Sequence, residues 1–315
     1  MKTLNIVFMG TPDFAVSTLK TLVENQYNIV GVITAPDKPA GRGRKLNESA
    51  VKLYAVSQNL KVLQPTNLKD EAFLEELKGL HANLNIVVAF RMLPKVVWNM
   101  PELGTFNLHA SLLPNYRGAA PINWAIINGE TKTGVSTFFI DEEIDTGEMI
   151  LQEDITIEPN ENAGQLHDKL MLLGSTLVLK TVKQIEAEDV KTTPQIENPD
   201  LKTAYKLNRD NCKIDWSASI QDIHNKIRGL SPYPAAWCVL QNGEEALDVK
   251  IYEATMAPEE HQLELGLIQN TKKEIKVAVK GGFINIHFMK LPGKRNMHAK
   301  DLLNGYDFKT GAKML

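Results

Sequence analysis

Residues 4–34, LNIVFMGTPDFAVSTLKTLVENQYNIVGVIT, decide the fold class. Leu4 to Met9 is a continuous apolar run of strand length. Thr11-Pro12-Asp13 then supplies an N-cap residue, a proline at the first helical position and an early acid. A helix is expected at once. Ala15, Leu19, Leu22 and Val23 give it one apolar face, and Tyr27 to Thr34 reads as the next strand, completing a β-α-β unit.

Working outward, the alternation recurs. Asn47 to Asn59, Asp70 to Lys78 and Ala119 to Asn128 read as helices, and Lys61 to Leu63, Asn85 to Phe90 and Thr105 to His109 as extended segments. A strand near Gly134 to Ile140 and a long helix from Ala163 to about Glu186 follow. Strands without polar alternation are those buried on both faces, so the expected class is α/β: a Rossmann-like open, mostly parallel sheet flanked by helices. Such sheets bind ligands outside the carboxyl ends of their strands.

Thr192 to Arg209, with Pro194, Pro199 and many polar residues, has no sustained period and reads as a linker. Beyond it a helix, Ser219 to Leu230, precedes short β-like runs broken by the hairpin signals Asn242-Gly243 and Gly281-Gly282. A small C-terminal β-barrel of OB-like type is expected. The expected division is a catalytic domain at 1–190, a linker at 191–208 and a barrel domain at 209–315.

Composition bounds the function without naming it. The 315 residues have room for two hydrophobic cores. With 43% hydrophobic and 23% charged residues, disorder and collagen are excluded. The start, MKTLNIVFMG, has only a short apolar run with no cleavage pattern after it, and no segment reaches about 18 apolar residues, so a cytoplasmic protein is expected. Cys212 and Cys238 make no framework and read as reduced and structural. There is no HExxH, CxxC or clustered His/Cys set, so no metal is expected. A net charge of −3 argues against a general nucleic-acid coat, although residues 209–315 carry 15 Lys and Arg against 13 Asp and Glu. A polyanion would have to be met by local patches.

The chemistry points to one strand end. Residues two apart in a strand share a face, so Asn107 and His109 address one point in space. An amide N–H stabilises an oxyanion and an imidazole moves a proton near neutral pH, a pairing suited to acyl transfer. A lone histidine is more often a satisfied core residue or a strand cap. The loop Asp141-Glu142-Glu143-Ile144-Asp145-Thr146-Gly147 changes that balance, because it follows another strand and can bring Asp145 to the same edge, to orient the imidazole and favour its protonated form. Its plain reading is a turn acid before Gly147.

Asn107, His109, the run Ser111-Leu112-Leu113-Pro114 and Asp145 in IDTG resemble the signature of the 10-formyltetrahydrofolate formyltransferase family. Within that family MGTPDFA, APDKPAGRGRKL, SLLPNYRGAAPINWAI, KIDWS, RGLSPYPAAW and LPGKRNMHAKDLLNG are similar, in order and over the full length, to the members that act on methionyl-tRNA. The resemblance implies 10-formyltetrahydrofolate as formyl donor, initiator methionyl-tRNA as acceptor, and Asn107, His109 and Asp145 as catalytic residues. It implies a pterin pocket of Val87, Val88, Phe90, Arg91, Met92, Ser111, Leu112, Leu113, Pro114 and Asp141. Arg91 stands where many relatives have glycine, and either narrows the pocket or touches the folate's charged tail.

The loop Pro36 to Leu46 sets Lys38, Arg42, Arg44 and Lys45 among glycines and prolines, and composition alone makes it a solvated surface loop. The resemblance assigns it to the tRNA acceptor stem, with Arg42 foremost, and Lys294, Arg295 and Lys300, with the basic residues near Arg228, would extend that surface. A monomer is expected. The competing readings are a sugar-nucleotide N-formyltransferase, which has no need of the PAGRGRKL loop, and a dinucleotide oxidoreductase, for which GxGxxG is missing. A non-catalytic RNA-binding protein would leave Asn107, His109 and Asp145 unexplained.

Overall fold

The computed structural model describes residues 2–40 and 45–315. They form two compact units, one of residues 2–118, 133–155 and 167–202, the other of residues 119–132, 156–166 and 203–315.

The first unit is built on a sheet in the order Met149–Thr156, Lys132–Phe139, Thr105–His109, Leu84–Val88, Asn5–Gly10, Asn28–Ile33 and Val62–Leu63. From Thr105–His109 to Val62–Leu63 neighbouring strands are parallel. Lys132–Phe139 runs antiparallel to Thr105–His109, with Phe139 opposite Phe106 and Ser136 opposite His109. The central strands are buried along nearly their whole length, which is why they read as unbroken apolar runs.

The first helix spans Asp13–Glu24, one residue later than the sequence suggests. Pro12 is its cap, extended at ψ 175°, with no side-chain capping bond, and Asp13 opens the first turn. The buried face is Phe14, Ala15, Thr18, Leu19 and Leu22, a full stripe at 3–4 spacing. Gly10 permits the tight turn between strand and helix, since a β-carbon there would stand 2.6 Å from the Ala15 methyl and 3.0 Å from the Val88 carbonyl oxygen. The next helices, Ala50–Ser57 and Glu71–Lys78, are capped by Ser49 and Asp70, each worth about 1 kcal/mol. The long helix Ala163–Glu186 presents Gly174 to Leu108, where a β-carbon would come within 2.8 Å of Leu108 Cδ2. Leu108 thus faces this helix, and Asn107 and His109 face the other way.

Two features differ from the sequence reading. Residues 38–40 and 45–47 are paired antiparallel strands rather than an irregular loop. Met149–Thr156 is an added edge strand, whose alternating burial marks one solvated face.

In the second unit the strands Ala236–Asn242, Glu245–Pro258, Ile268–Asn270, Ile275–Val279, Gly282–Lys290 and Lys313–Met314 form an antiparallel sheet. Bridges from Leu267 to Lys313, and from Ile268 N to Ala312 O at 2.9 Å, bring its two edges together into a nearly closed barrel. Both hairpin signals fall at turns. Helix Ile220–Leu230, capped by Ser219, lays Ile223, Ile227 and Leu230 into the barrel core with Cys238, Leu240, Val249, Ile251, Ile275, Val277, Ile284 and Ile286. Cys212 and Cys238 are buried and free, and burial pushes the Cys238 thiol up to about 12.

His224 on that helix is buried with Nδ1 unpartnered. Burial, then the nearby Arg228 charge, hold its imidazole below the ordinary histidine value, while a bond to the Ala254 backbone pulls weakly the other way. The unfolded chain takes a proton there near pH 6.5 and the native chain does not. His224 therefore costs the barrel nothing above that pH, and its stability falls as pH drops through it, by up to about 1.4 kcal/mol per pH unit. Urea midpoints followed by tryptophan fluorescence between pH 7 and 5 should fall less steeply in His224→Gln than in the parent. Equal slopes would remove His224 as the cause.

Candidate active site

His109 closes the strand Thr105–His109, at the carboxyl edge shared with Leu84–Val88, and is 6% exposed. Its Nε2 lies 2.8 Å from the carbonyl oxygen of Tyr116. A carbonyl only accepts, so Nε2 carries the proton in that bond and Nδ1 is the nitrogen turned toward Asp145. Nδ1 is 3.8 Å from Asp145 Oδ2, whose side chain is 16% exposed. Asn107, half-buried, precedes His109 by two positions on the same face, in register with Val87 on one side and Phe138 on the other.

The route that brings Asp145 here is not the one the sequence suggests. Because Lys132–Phe139 is antiparallel, its carboxyl end lies beside Phe106, with Ile140 N bonded to Thr105 O at 2.8 Å. The loop of residues 140–148 brings the carboxylate back to His109. Asp145 adopts φ +58°, a left-handed conformation that few residues with a β-carbon take up, aspartate and asparagine more readily than most. Its Oδ2 accepts the Gly118 N–H at 3.0 Å and its carbonyl accepts Gln195 Nε2 at 2.9 Å.

Beside the pair, Ser111 to Pro114 is pinned by polar contacts. Ser111 Oγ donates to Asn115 O at 2.7 Å. Ser136 Oγ donates to Ser111 O at 2.6 Å and accepts the Leu113 N–H at 3.1 Å. Gln152 Nε2 donates to Leu113 O at 2.8 Å. Leu113 is buried, while Leu112 and Pro114 are half-exposed. Val87 and Val88 are buried in the sheet, Phe90 is half-buried, and Met92 at 71% exposure and Ile144 at 58% are large apolar side chains open to solvent. Asp141 Oδ1 accepts from Glu143 N and Thr146 Oγ1, which folds the acidic loop on itself, and Glu142 pairs with Lys95. The Arg91 guanidinium donates to the carbonyls of Pro65 and Thr66 and lies 5.7 Å from the Phe90 ring centre, so its hydrogen bonds run to the neighbouring main chain.

Comparison with known proteins gives the family. Residues 2–182 match the formyl transferase family model and residues 206–307 the formyl transferase C-terminal domain. The methionyl-tRNA formyltransferase of Flavobacterium johnsoniae is 66% identical over 314 residues, covering 100% of both chains. The chain is a member of the methionyl-tRNA formyltransferase family. The Bacteroides thetaiotaomicron methionyl-tRNA formyltransferase is 54% identical over 99% of this chain and 98% of its own. At the level of fold, an N-formyltransferase from Helicobacter canadensis, solved with folinic acid and dTDP-3-aminofucose, superposes with a TM-score of 0.64 at 21% identity, covering 90% of this chain and 98% of its own.

The basic residues expected for this formyltransferase divide. Lys38 is exposed on its short strand, whereas Arg42, Arg44 and the side chain of Lys45 lie outside the described residues. Lys294 and Arg295 are exposed in the turn after strand Gly282–Lys290, and Lys300 is exposed on the short helix Ala299–Leu302. Arg228 does not extend that surface: it is 8% exposed, with Nη1 on Glu161 O at 2.9 Å and Nε on Asn225 Oδ1 at 3.0 Å. Its charge is spent inside the second unit on carbonyl oxygens.

A cavity of about 350 Å³ opens on the barrel beside Arg209, Trp237, Asp248 and Lys250. Its polar groups are paired within the protein. Arg209 bonds Asp248 and covers Trp237 at 3.8 Å, Trp237 Nε1 donates to Arg209 O, and Lys250 donates to Pro234 O. No helix among the described residues is long and apolar enough to cross a membrane, and no group of three or more His, Cys, Asp or Glu among them is placed to hold a metal ion.

Sequence reasoning passed over Tyr116, Arg117, Ser136, Gln152 and Gln195, all of which touch the site's main chain or each other. Tyr116 and Arg117 lie inside the quoted SLLPNYRGAAPINWAI stretch, the one available signal. Gln195 sits in what reads as linker.

Proposed function

We propose that this formyltransferase moves the formyl group of 10-formyltetrahydrofolate onto the α-amino group of methionine carried by initiator tRNA. The observation that carries the reading is the strand end where His109 faces Asp145 at 3.8 Å with Asn107 two residues before it, in a chain 66% identical to a methionyl-tRNA formyltransferase over its full length. The uncharged amine attacks the formyl carbon on N10, and a tetrahedral intermediate forms. The Asn107 amide donates to its oxygen, such a donor being worth about 3 kcal/mol, and the His109 imidazolium stabilises it by its charge. Asp145 orients the ring and balances its charge. A proton passes from the attacking amine to the leaving nitrogen, through water or the His109–Asp145 pair, and the C–N10 bond breaks. No covalent enzyme intermediate is needed.

The pterin is assigned to the space between Val87–Met92 and Asp141–Asp145, beside Ser111–Pro114. The exposed side chains of Met92 and Ile144 supply apolar walls there, and strand-end amides and carbonyls supply a reading edge. Lys38, Arg42, Arg44 and Lys45 are assigned to the acceptor stem, and Lys294 and Arg295 to phosphates elsewhere on the tRNA. In this reading residues 1–190 carry the chemistry and 209–315 bind tRNA, and the protein works as a cytoplasmic monomer.

The test is transfer of labelled formyl from 10-formyltetrahydrofolate with charged initiator methionyl-tRNA, free methionine and a dTDP-amino sugar as parallel acceptors. Label on the charged tRNA alone is expected. Label on the amino sugar alone would overturn the acceptor assignment and keep the chemistry.

A further inference from the structure

We propose that Arg117 and Gln195 form a positioning clamp that fixes Asp145 against His109. This rests on the reading of His109 and Asp145 as the catalytic pair.

Gln195 uses its whole amide. Nε2 donates to the carbonyls of Asp145 at 2.9 Å and Gly147 at 2.8 Å, while Oε1 accepts Nε and Nη2 of Arg117 at 3.0 and 2.8 Å. Arginine has only donors, so the amide has one orientation in this arrangement and its two N–H groups are directed at the Asp145 loop. Arg117 is fixed in turn by Glu197, 2.7 Å from Nη1, and its own side chain is 17% exposed. The segment that carries Gln195 is anchored by paired Met149 and Thr193 main-chain bonds, both 2.9 Å.

These contacts close a circuit around the pair. Tyr116 O holds His109 Nε2, Gly118 N–H holds Asp145 Oδ2, and Arg117, between them, reaches the Asp145 main chain through Gln195. One three-residue segment therefore touches both members of the catalytic pair. Asp145 needs such support, because a non-glycine residue at φ +58° persists only where its surroundings over-determine it. Loss of the clamp releases the residue that carries the carboxylate, and the 3.8 Å separation is no longer set.

Gln195→Glu keeps the size and the acceptor for Arg117 but removes both donors to the loop. In steady-state formyl transfer by the full-length chain, kcat is expected to fall about 10- to 100-fold, with KM for both substrates within about twofold, the scale of a misplacement near 1 Å. In an Asp145→Asn background the same change should cost less than about threefold, because the clamp acts only through that carboxylate. An equal loss in both backgrounds, which general destabilisation would produce, or an effect on KM alone, overturns the clamp. Full loss at Asp145→Asn with none at Gln195→Glu overturns the clamp and leaves the catalytic reading standing. A wild-type rate at Asp145→Asn overturns both.

Discussion

Replacing His109 with alanine is expected to slow formyl transfer by about 10³-fold or more and to leave the Kd for methionyl-tRNA within about twofold. The expectation follows from what the ring touches. One nitrogen is committed to Tyr116 O and the other faces Asp145, so the side chain's contacts are with the catalytic loop segments and not with a basic surface. Its removal takes away the ring that lies beside the developing oxyanion and the group through which Asp145 acts, and such terms multiply in rate. The Tyr116 carbonyl loses the imidazole as a donor, a cost of at most about 1–3 kcal/mol. His109→Asn offers the carbonyl an amide donor without a titratable ring and should be equally slow. Filter binding of charged tRNA beside single-turnover rates decides the matter. Lost binding, or a rate within tenfold of the parent, would sink the assignment.

The parallel half of the fold was legible because burial on both faces writes strands as apolar runs, as at Leu84–Val88, and because Asp70 marks a helix start, whereas the helix read from Asn47 begins only after its cap Ser49. The strand Met149–Thr156 was not, since an edge strand with one solvated face, MILQEDIT, mixes charge into its pattern. The pair Asn107 and His109 was legible from strand periodicity alone. How Asp145 reaches them was not, because the antiparallel direction of Lys132–Phe139 depends on pairing and leaves no mark in the residues themselves. Gln195 was invisible for a related reason. A polar residue in an aperiodic segment, bonded to a main chain about fifty positions away, has no local signature. Arg228 misled in the opposite sense: a charge counted along the chain says nothing about whether carbonyls have consumed it.

Gly147→Ala should damage both stability and rate, although it adds one methyl group. A β-carbon at 147 would stand 1.7 Å from the Phe139 carbonyl oxygen and 2.9 Å from its carbon, both main-chain atoms that no rotamer change removes. The strand end is poorly able to yield. Phe139 is paired with Phe106, Ile140 N–H bonds Thr105 O at 2.8 Å, and Phe139 N–H bonds Glu148 O at 3.0 Å. The loop must therefore move by more than an ångström. It can do so only by drawing Gly147 O away from Gln195, which shares its amide with Asp145 two residues earlier. Displacement thus passes directly to the carboxylate beside His109. A destabilisation of about 3 kcal/mol is expected from the overpacking, lowering Tm by about 6–12 °C for a unit of this size. Among the molecules that remain folded, kcat should fall about 10²-fold while tRNA affinity holds. Melting curves and single-turnover rates on the same preparation separate the two effects. A parent-like Tm together with a parent-like rate would mean that residues 140–148 do not take the path that sets Asp145 against His109.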